Sequence, residues 1–261
     1  MPFAITRDVS PRFNECEITH IDRTAIDLEI AHAQHRGYVD ALKKLGCDVL
    51  ELPAEADLPD SVFVEDTAII LPEVAVITRP GADSRKPETG SILQALSPHI
   101  KLLHIREPAT LDGGDVLVIG MHIFIGLSTR SNRHAIDQLN NLLNEYGYSV
   151  TGVQLHNCLH LKSAVTRVDE STLLINKNWV DANHFSGYTL IEVDTSEPYA
   201  ANCLPVGDVI IYPTSFPKTC AKLEERGYKI VSVEVDELAK AEGAVTCCSL
   251  VLADRAGSNV R

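Results

Sequence analysis

The sequence predicts an α/β fold: a single domain over residues 1–261, built as a five-bladed propeller of ββαβ units. Two patterns support this prediction, namely polar landmarks at an even pitch and a helix–glycine–strand order that recurs. The landmarks stand beside short β-branched runs and are separated by 46, 48, 42 and 45 residues. They are the pair Glu65 and Asp66, followed by Asp112, His160, Asn202 and Cys247. A pitch of roughly 40–50 residues is typical of repeated supersecondary units in propellers and solenoids.

Three segments have apolar residues at helical spacing and stop at a glycine, which is a favourable residue just beyond a helix. The segments are residues 25–45, 131–146 and 217–226, which stop at Gly46, Gly147 and Gly227. Each glycine leads into a strand-like run, at residues 47–52, 148–155 and 228–235. The same order of helix, glycine and strand therefore occurs three times.

Pairs of short apolar runs around a turn predict β-hairpins. The pairs are residues 67–71 with 74–78, 116–119 with 123–125, and 164–168 with 172–175. Together with the helix–glycine–strand segments they define a ββαβ unit. About five such units fill the chain, in agreement with the usual repeat length.

Composition favours a cytoplasmic enzyme. The net charge of −13 makes nucleic acid and anionic membranes poor partners. No segment approaches the ~18 consecutive apolar residues of a membrane span, and the N-terminus does not resemble a signal peptide. Seven cysteines without paired spacing indicate reduced thiols. We expect a monomer or a homodimer, with a frayed tail over residues 254–261.

The landmarks supply a nucleophile and a base. In a closed ring, equivalent positions of all units face the axis, so two carboxylates, a histidine, an amide and a cysteine meet there. Cys247 and Cys248 begin the last apolar run, and neighbouring side chains on a strand point to opposite faces. A nucleophilic Cys247 needs a lowered pKa, which a cationic ligand or a protonated histidine would provide. The alternatives are an inert buried cysteine and a structural histidine at position 160.

The acids Glu65 and Asp66 run straight into an apolar strand, which is costly unless they are paired or functional. A planar guanidinium is their best partner because its fork matches a carboxylate. Arg85 lies in a turn-rich loop and Arg130 near the start of a helix. Acids at one end and arginines at the other suit a zwitterionic substrate with a cationic tail, such as an arginine derivative.

A metal site is an alternative for the same histidine. His156, Cys158 and His160 alternate along the chain, and with Cys247 they would make four ligands. The spacing is not that of a standard finger or ribbon. Adventitious, inhibitory zinc on Cys247 and His160 is more plausible, because a thiolate beside an imidazole is a natural ligand pair for this ion.

Seven segments resemble the dimethylarginine dimethylaminohydrolases, guanidine-modifying enzymes of the pentein superfamily, whose fold is a five-bladed propeller. The segments are residues 58–66, 77–85, 111–116, 126–132, 159–163, 199–203 and 246–250. They occur in family order, and the resemblance extends from about residue 5 to residue 252. It agrees with the fivefold repeat.

The resemblance implies that Cys247 is the nucleophile, His160 the general acid and base, and Asp112 the carboxylate that orients His160. The implied reaction hydrolyses asymmetric dimethylarginine and monomethylarginine to citrulline and dimethylamine or methylamine. It proceeds through a covalent S-alkylthiouronium on the cysteine, with neither metal nor organic cofactor. The alternatives are a hydrolase or deiminase for another guanidine, such as arginine or N-hydroxyarginine, and a propeller that binds a guanidino ligand without turnover.

The resemblance also implies a substrate site. Glu65 and Asp66 correspond to acids that hold the guanidinium, and Arg85 and Arg130 to arginines that bind the substrate α-carboxylate. Asp60 corresponds to the α-amino site. The remaining parts of this predicted site are backbone carbonyls near Ile18 and Ala241, the side chain of Phe63, and a lid over residues 13–22.

Overall fold

The structure, a computed structural model, describes residues 1–252 and contains five three-stranded sheets. The predicted frayed tail, residues 254–261, lies outside the described residues. Each sheet forms one blade with the same strand pattern: two antiparallel strands, then a third strand parallel to the second. The predicted α/β propeller of five ββαβ units is confirmed.

The strands are short, and most are rich in valine, isoleucine and leucine, residues that pack well on pleated surfaces. They are β1 Phe3–Arg7, β2 Asp48–Leu52, β3 Ala68–Ile70, β4 Val74–Ile77, β5 Lys101–His104, β6 Val116–Ile119, β7 His122–Leu127, β8 Ser149–Gln154, β9 Val165–Arg167, β10 Thr172–Ile175, β11 Thr189–Glu192, β12 Leu204–Val206, β13 Val209–Pro213, β14 Lys229–Val233 and β15 Leu250–Leu252. The helices are α1 Leu28–Lys44, α2 Thr89–Leu96, α3 Arg133–Leu143, α4 Leu161–Ala164, α5 Pro217–Glu224 and α6 Asp236–Ala239.

Four blades are continuous in sequence, and the fifth closes the ring. The continuous blades are β3–β4–β5, β6–β7–β8, β9–β10–β11 and β12–β13–β14. In the closing blade, β15 pairs antiparallel with β1, and β1 pairs parallel with β2. Both ends of the described chain therefore contribute to one sheet.

The three helix–glycine–strand repeats correspond to α1 with β2, α3 with β8 and α5 with β14. Gly46, Gly147 and Gly227 all have φ between 81° and 85°, a left-handed conformation that glycine adopts without steric cost. The first of these helices begins at an N-cap, Asp27, whose carboxylate accepts the amides of Glu29 and Ile30. Among the described residues, no helix is long and apolar enough to span a bilayer.

Candidate active site

The polar landmarks occupy equivalent places, just before the first strand of each blade. Glu65 and Asp66 precede β3, Asp112 precedes β6, His160 precedes β9, Asn202 precedes β12 and Cys247 precedes β15. First strands of neighbouring blades pack against one another, as β15 does against β3 and β6 against β9. The landmarks consequently meet at the axis, as the repeat predicted.

Hydrogen bonds link the landmarks in blade order. The carboxylate of Asp66 accepts the amide of Gly114 at 2.8 Å. Asp112, two residues earlier in that blade, has its Oδ2 3.2 Å from Nε2 of His160 in the next. Its Oδ1 accepts the amide of Gly81 at 2.8 Å, so both carboxylate oxygens are positioned.

The remaining links close the ring. The carbonyl of Lys162 accepts from the amide side chain of Asn202 at 3.0 Å. The side-chain oxygen of Asn202 then accepts the backbone N–H of Thr246 at 3.1 Å. The carbonyl of Cys247 accepts the backbone N–H of Glu65 at 3.1 Å, which returns the chain of contacts to the first landmark.

His160 is held as a cation. Burial lowers the pKa of an imidazole, but here the carboxylates of Asp66, Asp115 and Asp112 outweigh burial and raise the pKa of His160 to about 9. The second ring nitrogen, Nδ1, lies 4.0 Å from Asp66 Oδ1. At neutral pH the residue is therefore an imidazolium, which can donate a proton.

Asp115 fixes the backbone beside His160. Its Oδ2 accepts the hydroxyls of Ser128 at 2.5 Å and Ser131 at 2.6 Å, and its Oδ1 accepts the amide of Leu161 at 3.0 Å. Burial raises the pKa of Asp115 to about 6. This carboxylate positions the main chain and does not line the cavity described below.

Asp66 is ionised and fixed by a buried arginine. Nη1 of Arg85 donates to Asp66 Oδ2 at 2.5 Å, while Nε and Nη2 donate to Glu88 at 3.1 and 2.8 Å. Burial alone would raise the pKa of Asp66, but His160 and Arg85 lower it to about 2. The guanidinium that contacts Asp66 here is that of Arg85, and a substrate guanidinium at the acid pair stays a prediction. This arginine lies inside the protein, in the 3-10 segment Asp83–Glu88.

Glu65 has different partners from Asp66. Its Oε1 accepts from Nζ of Lys162 at 2.5 Å, and its Oε2 accepts the hydroxyl of Thr246 at 2.8 Å. These three side chains line a separate cavity of about 560 Å³ that does not contain Cys247 or His160. A role of Glu65 in holding a guanidinium stays a prediction, as does a role of Arg85 in binding a carboxylate.

The predicted nucleophile and base share one small cavity of about 20 Å³ with most of the predicted substrate residues, whereas Asp112, Glu65 and Ile18 do not line it. Its lining includes Cys247, His160, Asp66, Asp60, Phe63, Arg85, Arg130 and Ala241. One water molecule needs roughly 10–15 Å³ of such space. The closed cavity therefore holds about one water molecule, and a larger ligand requires a displacement of its walls.

Residues 13–22, the predicted lid, contact two residues of the cavity wall. The carboxylate of Asp60 accepts the amide of Glu17 at 3.1 Å, and Nη2 of Arg130 donates to the hydroxyl of Thr19 at 3.2 Å. Ile18 packs against the hydrophobic cluster that contains Phe63. Burial raises the pKa of Asp60, although Arg85 and the amide of Glu17 oppose this effect.

Cys247 lies in a turn before β15, and the pair with Cys248 does not lie on the strand itself. Cys247 lines the cavity, and Cys248 is buried in a hydrophobic cluster, so the two side chains still diverge. Burial, with the charges of Glu65 and Asp66, holds the pKa of the Cys247 thiol well above its usual range. The pKa of this thiol is therefore raised rather than lowered as expected of a nucleophile, and a cation beside the sulfur would lower it.

Asp66, Asp112 and His160 place ligand atoms within 4.8 Å of one another. Their hydrogen bonds to Arg85, Gly114 and each other account for this cluster, because each carboxylate already has its own donors. Inhibitory zinc on Cys247 and His160 stays a prediction.

Sequence reasoning missed four polar residues around the site: Glu88, Asp115, Lys162 and Glu242. Only Glu88 had a local signal, because it follows Arg85 by three residues and both lie in the same helical segment. The other three act across blades or loops. Glu242 contacts the lid, where its carboxylate accepts the amides of Thr19 at 2.6 Å and His20 at 2.8 Å.

Comparisons with known proteins agree with this geometry. A family model for eukaryotic N,N dimethylarginine dimethylhydrolase matches residues 13–253. The dimethylarginine dimethylaminohydrolase of Pseudomonas aeruginosa is 36% identical over 226 residues, covering 86% of this chain and 89% of that enzyme. The enzyme of the same name from Streptomyces coelicolor is 37% identical over 250 residues, covering 95% and 96%.

Solved structures give the same result. A mutant of the Pseudomonas aeruginosa enzyme in complex with citrulline superposes with a TM-score of 0.92 at 33% identity, over 96% of this chain and 98% of that one. The N-terminal domain of ArgZ, a cyanobacterial arginine dihydrolase, shares the fold with a TM-score of 0.82 at 19% identity, over 97% and 98%. By sequence and by fold, this chain belongs to the dimethylarginine dimethylaminohydrolase family.

Proposed function

We propose that this protein hydrolyses N-ω-methylated arginines, such as asymmetric dimethylarginine and monomethylarginine, to citrulline and dimethylamine or methylamine. The observation that carries the proposal is the convergence of Cys247, His160 and Asp66 on one cavity in a member of this family. An ionised carboxylate for the guanidinium, a thiol and a protonated imidazole are the groups that the reaction needs.

Substrate binding activates the thiol. A guanidinium beside Asp66 brings positive charge to the carboxylates that now raise the pKa of Cys247. The pKa of the thiol falls, the proton leaves to solvent, and the thiolate attacks the guanidinium carbon. Covalent attack divides a difficult hydrolysis into two easier steps.

His160 then acts twice. Its imidazolium gives a proton to the methylated nitrogen, the C–N bond breaks, and the amine leaves an S-alkylthiouronium on Cys247. The neutral imidazole next takes a proton from water as the water oxygen attacks the same carbon. The C–S bond breaks, the sulfur recovers a proton from the new hydroxyl, and citrulline leaves. Asp112 stabilises the imidazolium and fixes the ring nitrogen that faces it.

Asp60 and Arg130 would recognise the amino acid end of the substrate. The Asp60 carboxylate would take the α-ammonium together with the carbonyls near Ile18 and Ala241, and Arg130 would take the α-carboxylate. Arg85 would help to bind the substrate α-carboxylate, because its side chain forms part of the cavity wall. Phe63, buried and at the cavity wall, limits the volume around the methyl groups.

The proposed setting is the cytoplasm, with the chain acting as a monomer or homodimer and without nucleic acid. All seven cysteines, which lie within the described residues, are free, as expected in a reducing compartment. The proposed reaction needs no cofactor, because the chain itself supplies nucleophile, acid and base.

The test is citrulline release from asymmetric dimethylarginine by the wild type and by Cys247→Ser, with arginine and N-hydroxyarginine as competing substrates. We expect turnover of dimethylarginine by the wild type alone. Faster ammonia release from arginine would replace the proposal with a deiminase. Equal turnover by Cys247→Ser would remove the cysteine from the mechanism.

A further inference from the structure

We propose that Glu242 is the latch of the lid, a positioning residue that holds residues 13–22 closed over the cavity and whose release opens the cavity. Glu242 was not among the residues expected from the sequence. The inference rests on the proposed function only for the identity of the substrate, because the contacts that carry it belong to the protein alone.

Glu242 binds two successive backbone amides of the lid. Oε2 accepts from Thr19 at 2.6 Å and Oε1 accepts from His20 at 2.8 Å. Hydrogen bonds to an ionised acceptor are roughly twice as strong as those between neutral groups. This bidentate contact therefore ties the middle of the lid to the loop that leads to Cys247.

Two other polar contacts across the lid use groups that a substrate would claim, whereas a third, from the hydroxyl of Ser84 to the carboxylate of Glu17 at 2.6 Å, does not. Asp60, now occupied by the amide of Glu17, would accept the substrate ammonium. Arg130, now bonded to the hydroxyl of Thr19, would bind the substrate carboxylate. Binding of an amino acid weakens both contacts, whereas the bonds to Glu242 compete with neither end of the ligand.

The base of the latch is rigid. Glu242 has φ +59°, a left-handed conformation that is uncommon for a residue with a Cβ. At Gly243, an added Cβ would lie 2.2 Å from the ring of Phe63, so the backbone is packed directly on that ring. The strained, packed turn keeps the carboxylate in place while the lid moves against it.

Glu242 also stands between two cavities. It lines the small cavity with Cys247 and a neighbouring cavity of about 400 Å³ that includes His20, Trp179 and Tyr199. Volumes of roughly 300–1,000 Å³ are typical of ligand sites. Release of Thr19 and His20 from Glu242 would join the two spaces, and the larger one then serves as the path for substrate and amine.

The test is Glu242→Gln, measured by hydrogen exchange of the lid and by steady-state kinetics. Glutamine has one acceptor oxygen, and its NH₂ group would face the second amide. We expect amide exchange over residues 13–22 to accelerate about 10-fold. We also expect KM for asymmetric dimethylarginine to rise about 10-fold, with kcat changed by less than about threefold.

Two further variants sharpen the result. The asparagine in Glu242→Asn tolerates the left-handed backbone conformation, but its side chain is too short to reach both amides. Lid exchange and KM in this variant should therefore match those of Glu242→Gln. Glu170→Gln removes the same charge from an exposed turn paired with Arg167 and should leave lid exchange unchanged.

Wild-type lid exchange in both Glu242 variants would overturn the proposal, and so would faster exchange throughout the protein, which would mean general destabilisation. Faster exchange confined to the lid, in a protein that does not hydrolyse dimethylarginine, would retain the latch and refute the proposed function.

Discussion

Replacing Asp112 by asparagine tests the proposed acid most directly. The pKa of His160 is about 9, against an ordinary value of 6.5, a difference equivalent to about 3 kcal/mol in favour of the imidazolium. Three carboxylates produce that preference against the effect of burial. Removing the charge of one of them should lower the pKa by about one unit, or ~1.4 kcal/mol.

Asparagine also changes the hydrogen bond itself. Its oxygen can keep the bond from Gly81, which places the NH₂ group opposite Nε2 of His160. Two donors then face each other unless the imidazole loses its Nε2 proton. We expect citrulline formation from asymmetric dimethylarginine to fall about 100-fold, within the usual contribution of general acid–base catalysis.

The assay is turnover across pH, together with an NMR titration of His160 in both proteins. Glu107→Gln, which alters an exposed ion pair with Arg79, is the matched control and should behave as wild type. An unchanged titration midpoint together with wild-type turnover in Asp112→Asn would refute the assigned role.

Three further predictions concern packing, acid stability and metal inhibition. Gly113→Ala should lower the free energy of unfolding in urea by about 1–3 kcal/mol, because the added Cβ would lie 1.9 Å from the carbonyl oxygen of Glu65. Gly187→Ala is the control and should leave this free energy unchanged, because the space around Gly187 is open. Burial lowers the pKa of His35 to about 4, below its value of about 6.5 in the unfolded chain. The contribution of His35 to the free energy of unfolding is therefore fully present above about pH 6.5, and about 3 kcal/mol of it is lost as the pH falls through 4. Between pH 7 and 4.5 the free energy of unfolding should fall less in His35→Phe than in the wild type, and an equal fall would contradict this assignment. Because the pKa of the Cys247 thiol is raised, zinc should inhibit turnover more strongly at pH 8.5 than at pH 6.5, and a chelator should reverse the inhibition. Stronger inhibition at pH 6.5 would exclude the Cys247 thiolate as the zinc ligand.

The sequence was sufficient for the repeat but not for every helix. The blade β3–β4–β5 contains α2, Thr89–Leu96, which follows a 3-10 segment with Pro87 inside it. This helix has eight residues, as does α5, but Gly90 near its start weakens the helical pattern and no glycine follows it to mark the turn into the next strand. The crossing segment of the blade β9–β10–β11 is only a 3-10 turn, Ala182–Phe185, which has no helical repeat to detect.

The candidate site was predictable where one residue per blade meets the axis. Cys247, His160 and Asp112 share that origin, and their spacing along the chain is the spacing of the blades. Arg85 was placed in an exposed loop because turn-forming residues surround it. The burial of Arg85 depends on its ion pairs with both Glu88 and Asp66, and the pair with Asp66 joins different segments of the chain.

The acids Glu65 and Asp66 show a similar limit. Asp66 pairs with the guanidinium of Arg85, and Glu65 pairs with Lys162 from another blade, while a substrate guanidinium at the two acids stays a prediction. Adjacent residues in a 3-10 turn point in different directions, so two neighbouring carboxylates can serve separate cavities. Which cation each one meets depends on the docking of blades, which local sequence does not encode.

The closing blade has a consequence for how the enzyme matures. Cys247 stands just before β15, the strand that completes the sheet begun by β1 and β2. Of all the predicted site residues it is the last in the chain, and we expect it to reach His160 only when β15 has joined β1 and β2. A nascent or partly opened chain thus carries a cysteine with no acid partner beside it. The nucleophile and its acid partner would therefore come together in the same step that completes the fold.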